Sequence, residues 1–112
     1  MYTVLLAEDE PLVRMGIKSM VDWEKLDMRV CAECSDGAEA LQTCRRLKPD
    51  LIITDLKMPV MDGMSLIRAV RAEDARTRIL VLTCLEDFDA ARQAIEFDVS
   101  GYVMKLSCTV EK

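Results

Sequence analysis

Five polar residues that could do chemistry each follow a short apolar run with the character of a buried strand. Glu8 and Asp9 follow the first of these runs, Asp55 the second, Thr83 the third and Lys105 the last. If the strands lie parallel in one sheet, their carboxyl ends meet at one edge, where open α/β sheets bind their ligands. The sequence therefore predicts that distant segments build a single site.

The three acids of this predicted site favour a divalent cation. Carboxylates that share a crevice repel one another unless a cation or a proton compensates their charge. Mg²⁺ prefers oxygen ligands, takes one or two carboxylates and keeps water or phosphate oxygens in its remaining positions. The cluster formed by Glu8, Asp9 and Asp55 is therefore a candidate site for Mg²⁺.

The same set of residues suits phosphoryl transfer. Asp55 is the candidate nucleophile, because a carboxylate can attack a phosphoryl group and form an acyl phosphate while a metal ion neutralises the transferring oxygens. Lys105 supplies a point charge for Asp55 and then for the phosphate, and the Thr83 hydroxyl can donate to a phosphate oxygen. The chain has no histidine and no glycine-rich phosphate loop, which excludes a nucleotide-driven kinase or ATPase.

Strand and helix signals alternate along the chain, which is typical of a parallel sheet with helices on both faces. The strands are predicted at residues 3–8, 28–33, 51–54, 79–83 and 101–104. We expect a doubly wound, flavodoxin-like α/β fold with five parallel strands in the order 2-1-3-4-5. Its switch point lies between the first and third strands, beside the acids.

Four helices are predicted between these strands. The first begins at Pro11, the second is capped by Asp36 with Glu39 completing a capping box, the third opens at Asp62 and the fourth is capped by Asp87. Only seven residues follow the end of the last strand signal at residue 105, so we expect a truncated fifth helix and a chain that is a fragment of a longer protein. The buried face of the first helix is predicted to comprise Leu12, Val13, Ile17, Met20 and Val21.

Composition narrows the class of protein. A chain of 112 residues forms one domain, and a net charge of −5 makes direct nucleic-acid binding by this domain a poor expectation. No apolar run is long enough for a membrane span and no leader opens the chain, so a cytoplasmic location is expected. The odd number of cysteines indicates free thiols, and Cys31 and Cys34 are interpreted as structural residues of a strand.

Four segments in this order and spacing resemble the receiver domain of two-component response regulators. The match runs from residue 3 to about residue 106 and rests on LLAEDEP at 5–11, IITDLKMPVMDG at 52–63, VLT at 81–83 and GYVMK at 101–105. The resemblance implies that residues 1–112 form a receiver domain whose output domain is absent. The chain departs from the family pattern at Glu8, a position where aspartate is commoner in the family.

The resemblance also implies a role for each site residue. Asp55 accepts a phosphoryl group from a sensor histidine kinase, and Asp9 binds Mg²⁺ directly. Glu8 assists in binding the ion, and the backbone carbonyl of Lys57 adds a further ligand.

The resemblance further implies a conformational switch. Thr83 and Tyr102 correspond to the family's switch pair, in which the hydroxyl moves toward the phosphate and the aromatic ring follows. The expected consequences are control of an output domain in the same chain, homodimerisation on phosphorylation and only slow self-catalysed phosphorylation and dephosphorylation. The sequence around Asp22 and Trp23 is similar to that of transcriptional regulators that carry an AraC-type DNA-binding output domain.

Two other functions compete with a phosphorylatable switch. One is a pseudo-receiver that binds partners without phosphorylation, although such chains usually lose one of the residues kept here. The other is a phosphatase with an aspartate nucleophile. In that class a second acid stands two residues after the nucleophile, and this chain has Lys57 there.

Overall fold

The computed structural model describes residues 1–74, 76–83 and 101–104, which form one parallel sheet and three helices. The described strands lie side by side in a single sheet, in the spatial order β2-β1-β3-β4-β5. The strands of this part of the chain are β1 (Tyr2–Ala7), β2 (Met28–Cys34), β3 (Leu51–Asp55), β4 (Arg78–Thr83) and β5 (Gly101–Met104).

Three helices connect the described strands. They are α1 (Pro11–Met20), α2 (Gly37–Leu47) and α3 (Gly63–Glu73). The parallel arrangement β2-β1-β3-β4 agrees with the predicted doubly wound, flavodoxin-like sheet. The helix expected after Asp87 and the truncated fifth helix lie outside the described residues. In the described part of the chain, no helix combines the length and the apolar character that crossing a bilayer requires.

The two faces of the sheet carry separate apolar clusters. On one face, Leu5 and Ala7 of β1 pack with Ile52, Ile79 and residues of α2 and α3. On the other face the buried residues are Val4, Leu6, Ile53 and Leu82, against which Ile17 of α1 and Trp23 pack. This division follows from the period of two along a strand, because successive side chains point to opposite faces.

A β-bulge makes β2 switch faces along its length. β1 pairs with β2 through Val4 and Val30, and the next pair joins Leu5 to Ala32, so Cys31 is passed over. Val30 therefore packs on the α1 face, whereas Ala32 and the residues after it follow the opposite alternation. The bulge places Glu33, the partner of Leu6 in the register, on the α1 face.

The predicted buried face of α1 is partly wrong. Val13 and Ile17 are half-buried, but Leu12 is 81% exposed and Met20 is 80% exposed, and α1 has no fully buried residue. Arg14 and Lys18 both pair with Glu33 of β2, on the side of the helix next to Val13 and Ile17. Arg14 and Lys18 thus lie on the side of α1 that faces β2, and Leu12 lies on the exposed side.

Both α2 and α3 begin with the predicted aspartate caps. The Asp36 carboxylate accepts a hydrogen bond from Glu39 N at 2.8 Å, and the Asp62 carboxylate accepts one from Ser65 N at 2.8 Å. The Glu39 carboxylate reaches Ser35 N at 2.9 Å, one residue before the cap, so the capping box is completed one position earlier than its usual form.

The cysteines described in the structure are free thiols. Cys34 and Cys44 are buried in the cluster that β1 and β3 form with α2 and α3, and burial raises the pKa of both thiols. A raised pKa lowers the thiolate fraction at neutral pH and with it the reactivity of the thiol. The placement agrees with a structural role for the Cys31–Cys34 motif.

Candidate functional site

The register of the sheet brings the acids to one edge. Ala7 of β1 pairs with Thr54 of β3, so Glu8 and Asp55 each follow a member of the same pair. The pairing of Asp55 with Leu82 continues this alignment into β4. Parallel strands therefore place the acids after β1 and the acid ending β3 at neighbouring positions of the carboxyl edge, as the sequence predicted.

Asp55 is a buried carboxylate with a defined orientation. The residue as a whole is only 4% exposed to solvent. Oδ1 accepts a hydrogen bond from Leu56 N at 2.7 Å and a longer one from Lys57 N at 3.3 Å. The Thr54 hydroxyl donates to the Asp55 carbonyl at 2.8 Å, which fixes the adjoining backbone. These contacts hold the carboxylate at the end of β3 before any ligand binds.

The residues after β1 form a compact acidic loop, residues 8–10. One carboxylate oxygen from each of Glu8, Asp9 and Glu10 lies within 4.8 Å of the other two. Glu8 is fully buried and its Oε2 accepts a hydrogen bond from Glu10 N at 3.0 Å. Glu10 is the N-cap residue of α1, yet its side chain makes no capping hydrogen bond to the helix. Glu10 was not among the acids predicted from the sequence to belong to this site.

The acidic loop is fastened to two neighbouring elements. Glu8 N donates to the carbonyl of Cys34 on β2 at 3.0 Å. The Arg14 guanidinium donates from Nη1 to the Glu8 carbonyl at 2.5 Å, and Arg14 N donates to the Glu10 carbonyl at 3.1 Å. Arg14 lies one helical turn into α1, and nothing in the sequence marks it as part of the site.

An open cleft of about 500 Å³ lies between the acidic loop and the loop that joins β3 to α3, residues 56–62. Carboxylate oxygens are hard donors, and the cleft is bordered by the carboxylate residues Asp9 and Asp62, so the donor set fits Mg²⁺. The cleft is lined by Asp9, Leu56, Lys57, Met58, Pro59 and Asp62.

The backbones of two glycines lie in close contact with the loop between β3 and α3. Gly63 N donates to the Leu56 carbonyl at 2.9 Å, and a Cβ at Gly63 would lie 2.0 Å from the Asp55 carbonyl oxygen. Gly37 N donates to the Met61 carbonyl at 2.9 Å, and a Cβ there would lie 2.1 Å from that oxygen. Only glycine lets the starts of α2 and α3 approach the loop so closely.

The tip of the β3–α3 loop is a strained turn. Met61 N donates to the Pro59 carbonyl at 2.7 Å across Val60, which has φ 68°. A three-residue turn with a positive central φ is the rarer form of the γ-turn, and a β-branched residue is an unusual occupant. Val60 is 84% exposed, so no packing contact compensates for this conformation.

The remaining predicted residues are described only in part. The structure gives the backbone of Thr83, which pairs with Met104, and of Tyr102, which pairs with Val81. Lys105 lies outside the described residues. The predicted acids after β1 and β3 thus meet at one edge, and the roles assigned to Thr83, Tyr102 and Lys105 stay predictions.

Sequence comparison identifies the family that shares this arrangement. The family model for the response regulator receiver domain matches residues 4–110. The chain belongs to this family. It is a receiver domain of two-component response regulators, and the resemblance found in the sequence is confirmed.

Curated relatives of this receiver domain include proteins named as transcriptional regulators. The uncharacterized transcriptional regulatory protein YesN of Bacillus subtilis is 34% identical over 94% of this chain and 28% of YesN. The transcriptional regulatory protein HptR of Staphylococcus aureus is 29% identical over 94% of this chain and 41% of HptR. The receiver domain therefore spans well under half the length of these relatives.

Solved structures share the fold closely. The REC domain of AraT, a response regulator from Geobacillus stearothermophilus, is 37% identical and superposes with a TM-score of 0.90 over 94% of this chain and 81% of that one. A two-component response regulator of the LuxR family from Aurantimonas sp. is 32% identical with a TM-score of 0.84, covering 99% of this chain and 79% of that one. These likenesses agree with the observed parallel sheet and its flanking helices.

Proposed function

We propose that this receiver domain is a phosphoacceptor switch in which Asp55 takes a phosphoryl group from a sensor histidine kinase. An Asp55 oxygen forms the new bond to phosphorus as the bond to the donor histidine breaks, and the product is an acyl phosphate. The observation that carries the proposal is the buried, hydrogen-bonded Asp55 carboxylate at the same sheet edge as the acidic loop.

The transfer is proposed to depend on Mg²⁺. Asp9, Asp55 and the Lys57 carbonyl would hold the ion with assistance from Glu8, and the ion would neutralise charge on the phosphoryl oxygens. Asp9 and Lys57 line the same cleft, which supports this assignment. The buried Glu8 carboxylate also accepts a hydrogen bond from Glu10 N within the same loop.

The proposed switch uses residues of the last two strands. Lys105 pairs with Asp55 and then with the phosphate, and Thr83 donates its hydroxyl to a phosphate oxygen. Tyr102 follows Thr83 inward, which changes the population of an active conformation rather than driving turnover. Self-catalysed phosphorylation and dephosphorylation are slow in this proposal, so the protein is a switch and not an enzyme.

The proposal places this domain within a larger regulator. Residues 1–112 form the receiver domain, with a five-stranded sheet. An output domain in the same polypeptide reads the switch and controls transcription, and an AraC-type DNA-binding domain is the proposed form. Phosphorylation favours a homodimer, the receiver itself does not bind nucleic acid or membranes, and the protein acts in the cytoplasm. The short share of YesN and HptR that the receiver spans supports this arrangement.

Intact mass spectrometry after incubation with acetyl phosphate and Mg²⁺ tests the phosphoacceptor. We expect one added phosphate in the wild-type protein and none in Asp55→Asn or after chelation with EDTA. Asp36→Asn is the matched control, because Asp36 also caps a helix but does not line the cleft, and asparagine caps helices well. It should retain the adduct.

Two outcomes would overturn the proposal. An adduct that persists in Asp55→Asn would place the phosphate on another residue. A wild-type protein that melts cooperatively but acquires no phosphate, even with a fast quench, would favour a pseudo-receiver that binds partners without phosphorylation.

A further inference from the structure

Arg14 joins the acidic loop to the edge strand of the sheet. Its Nη1 donates to the Glu8 carbonyl at 2.5 Å, and its Nε lies 3.5 Å from Glu33 Oε1. The side chain is only 19% exposed, so the guanidinium lies against protein on most sides. One rigid, planar group thus contacts both β2 and the backbone of the loop.

The bulge in β2 makes this bridge possible. By passing over Cys31, the bulge places Glu33 on the α1 face beside Leu6, where Arg14 can reach it. Glu33 also binds Lys18 Nζ at 2.7 Å, one turn further along α1. Glu33 is therefore held from two positions of one helix, and Arg14 is held by Glu33.

The contact with the Glu8 carbonyl has a consequence for Asp9. The peptide unit between these two residues is planar, so fixing its carbonyl also fixes the direction of the bond to the Asp9 Cα. That bond sets the starting point of the Asp9 side chain, which faces the cleft. Arg14 thereby restricts where the Asp9 carboxylate can lie without touching the cleft itself.

The charge of Arg14 and its geometry act in opposite directions on cation binding. A guanidinium that contacts the acidic loop repels a divalent cation, so removing it should strengthen binding if charge alone matters. If the bridge matters more, removing it should weaken binding, since partners that orient metal ligands are typically worth ten- to a hundredfold in affinity. The sign of the effect separates these two physical causes.

We propose that Arg14 is a positioning residue that sets the Mg²⁺ affinity of the site by holding the Glu8 carbonyl against the Glu33-anchored edge of the sheet. This inference rests on the proposed function, because it concerns the same Mg²⁺ site. It assigns a role in ion binding to a residue that lies outside the acidic loop and makes its contact through the backbone.

Isothermal titration of the purified protein with MgCl₂ tests the inference in three variants. Arg14→Gln removes the bridge and should raise the Kd for Mg²⁺ roughly tenfold. Arg14→Lys keeps the charge but cannot serve both partners with one ammonium group, so a smaller loss is expected. Lys18→Gln is the matched control, because it removes the same charge from the same helix and the same Glu33 pair without a contact to Glu8. Its Kd should stay within about twofold of wild type.

A second measurement separates positioning from general damage to the fold. At saturating Mg²⁺ the rate of Asp55 phosphorylation by acetyl phosphate in Arg14→Gln should return close to the wild-type rate, because only the affinity for the ion has changed. A loss of rate that no concentration of Mg²⁺ restores would contradict the inference. Thermal melting of each variant without Mg²⁺ establishes that the folded states are compared.

The result that overturns the inference is equally definite. Mg²⁺ binding by Arg14→Gln that is equal to or tighter than wild type would show that charge outweighs the bridge. An equal loss in Lys18→Gln and Arg14→Gln would assign the effect to Glu33 and not to the Glu8 carbonyl. If the wild-type protein itself binds no Mg²⁺, the proposed function fails first, so the two failures are distinguishable.

Discussion

The two loops that border the cleft are held by different kinds of contact. The acidic loop is fastened by polar side chains, through Arg14 to the Glu8 carbonyl and through Glu8 to Glu10 N. The β3–α3 loop is fastened by the backbones of Gly37 and Gly63, which approach it so closely that no Cβ fits. Losing one polar contact forces no atoms to overlap, whereas a close-packed contact leaves no space for an added atom. We therefore expect graded changes of function in the first loop and abrupt losses of stability in the second.

The largest expected effect comes from adding one methyl group to the second loop. Gly63→Ala would place a Cβ about 2 Å from the Asp55 carbonyl oxygen, so either the start of α3 or the end of β3 must move. We expect a loss of roughly 3 kcal/mol in the free energy of unfolding. Urea denaturation monitored by Trp23 fluorescence measures this change.

Gly16→Ala is the matched control for that substitution. Gly16 is also a helical glycine, but among the described residues a Cβ there meets no atom within 4 Å beyond its chain neighbours and its own helix backbone. Alanine should stabilise α1 by up to about 1 kcal/mol, because glycine is a poor helix former. Opposite signs at the two positions would support the steric account, and a similar loss at both would contradict it.

The part of the site that could be predicted from the sequence is the part set by strand ends. Apolar runs that end in Glu8 or Asp55 predict both the strands and the edge at which the acids meet, because a parallel sheet aligns its carboxyl ends. The caps Asp36 and Asp62 could also be predicted, since an aspartate before a helical pattern has a local cause. These features depend on residues that are close in sequence.

The features that escaped prediction depend on contacts between distant segments. The bulge at Cys31 has no local signal, yet it decides which side of β2 carries Glu33, the partner of Arg14 and Lys18. Leu12 satisfies the helical periodicity and is nevertheless exposed. The role of Arg14 follows from the same contacts, and an arginine inside an amphipathic helix is otherwise unremarkable.

The next-largest loss of stability is expected when either of two equivalent helix caps is removed. Asp36→Ala and Asp62→Ala each remove one hydrogen bond to the first turn of a helix, so each should cost about 1 kcal/mol of stability. Only Asp62 lines the cleft, so only its substitution should also change the rate of phosphorylation by acetyl phosphate. Urea denaturation and intact mass measured in parallel check both halves. A rate that changes equally in the two variants would show that helix stability governs the site.

A smaller effect, of opposite sign, is expected at the strained turn. Val60→Gly relieves a positive φ that valine tolerates poorly, and part of the gain is offset by the greater freedom of glycine in the unfolded chain. We expect a net stabilisation of about 0.5 kcal/mol. Val60→Ala keeps the backbone penalty for a residue with a Cβ and serves as the control. Equal stability of the glycine and alanine variants in urea would contradict the interpretation that the backbone at Val60 is strained.

The smallest expected effect concerns a polar contact between α2 and α3 that lies far from both loops. Arg45 binds Glu73 through two nitrogens, with distances of 2.6 to 3.0 Å. The hydrogen bond from Arg45 lowers the pKa of the Glu73 carboxyl. A group whose pKa is lower in the folded state contributes stability above its unfolded pKa, and that contribution is lost as the pH falls through the folded pKa.

Glu73→Gln should therefore lower the urea midpoint slightly at neutral pH, and the difference from wild type should close as the solution is acidified. Both side chains are exposed, so water and salt screen the pair and the effect should shrink further at high ionic strength. Arg45→Gln should show the same pH dependence, because it removes the same hydrogen bond from the other side. A difference from wild type that persists unchanged at acid pH would mean that Glu73 stabilises the protein through packing rather than charge. In that case the contrast between polar and close-packed contacts would not extend to this end of the helices.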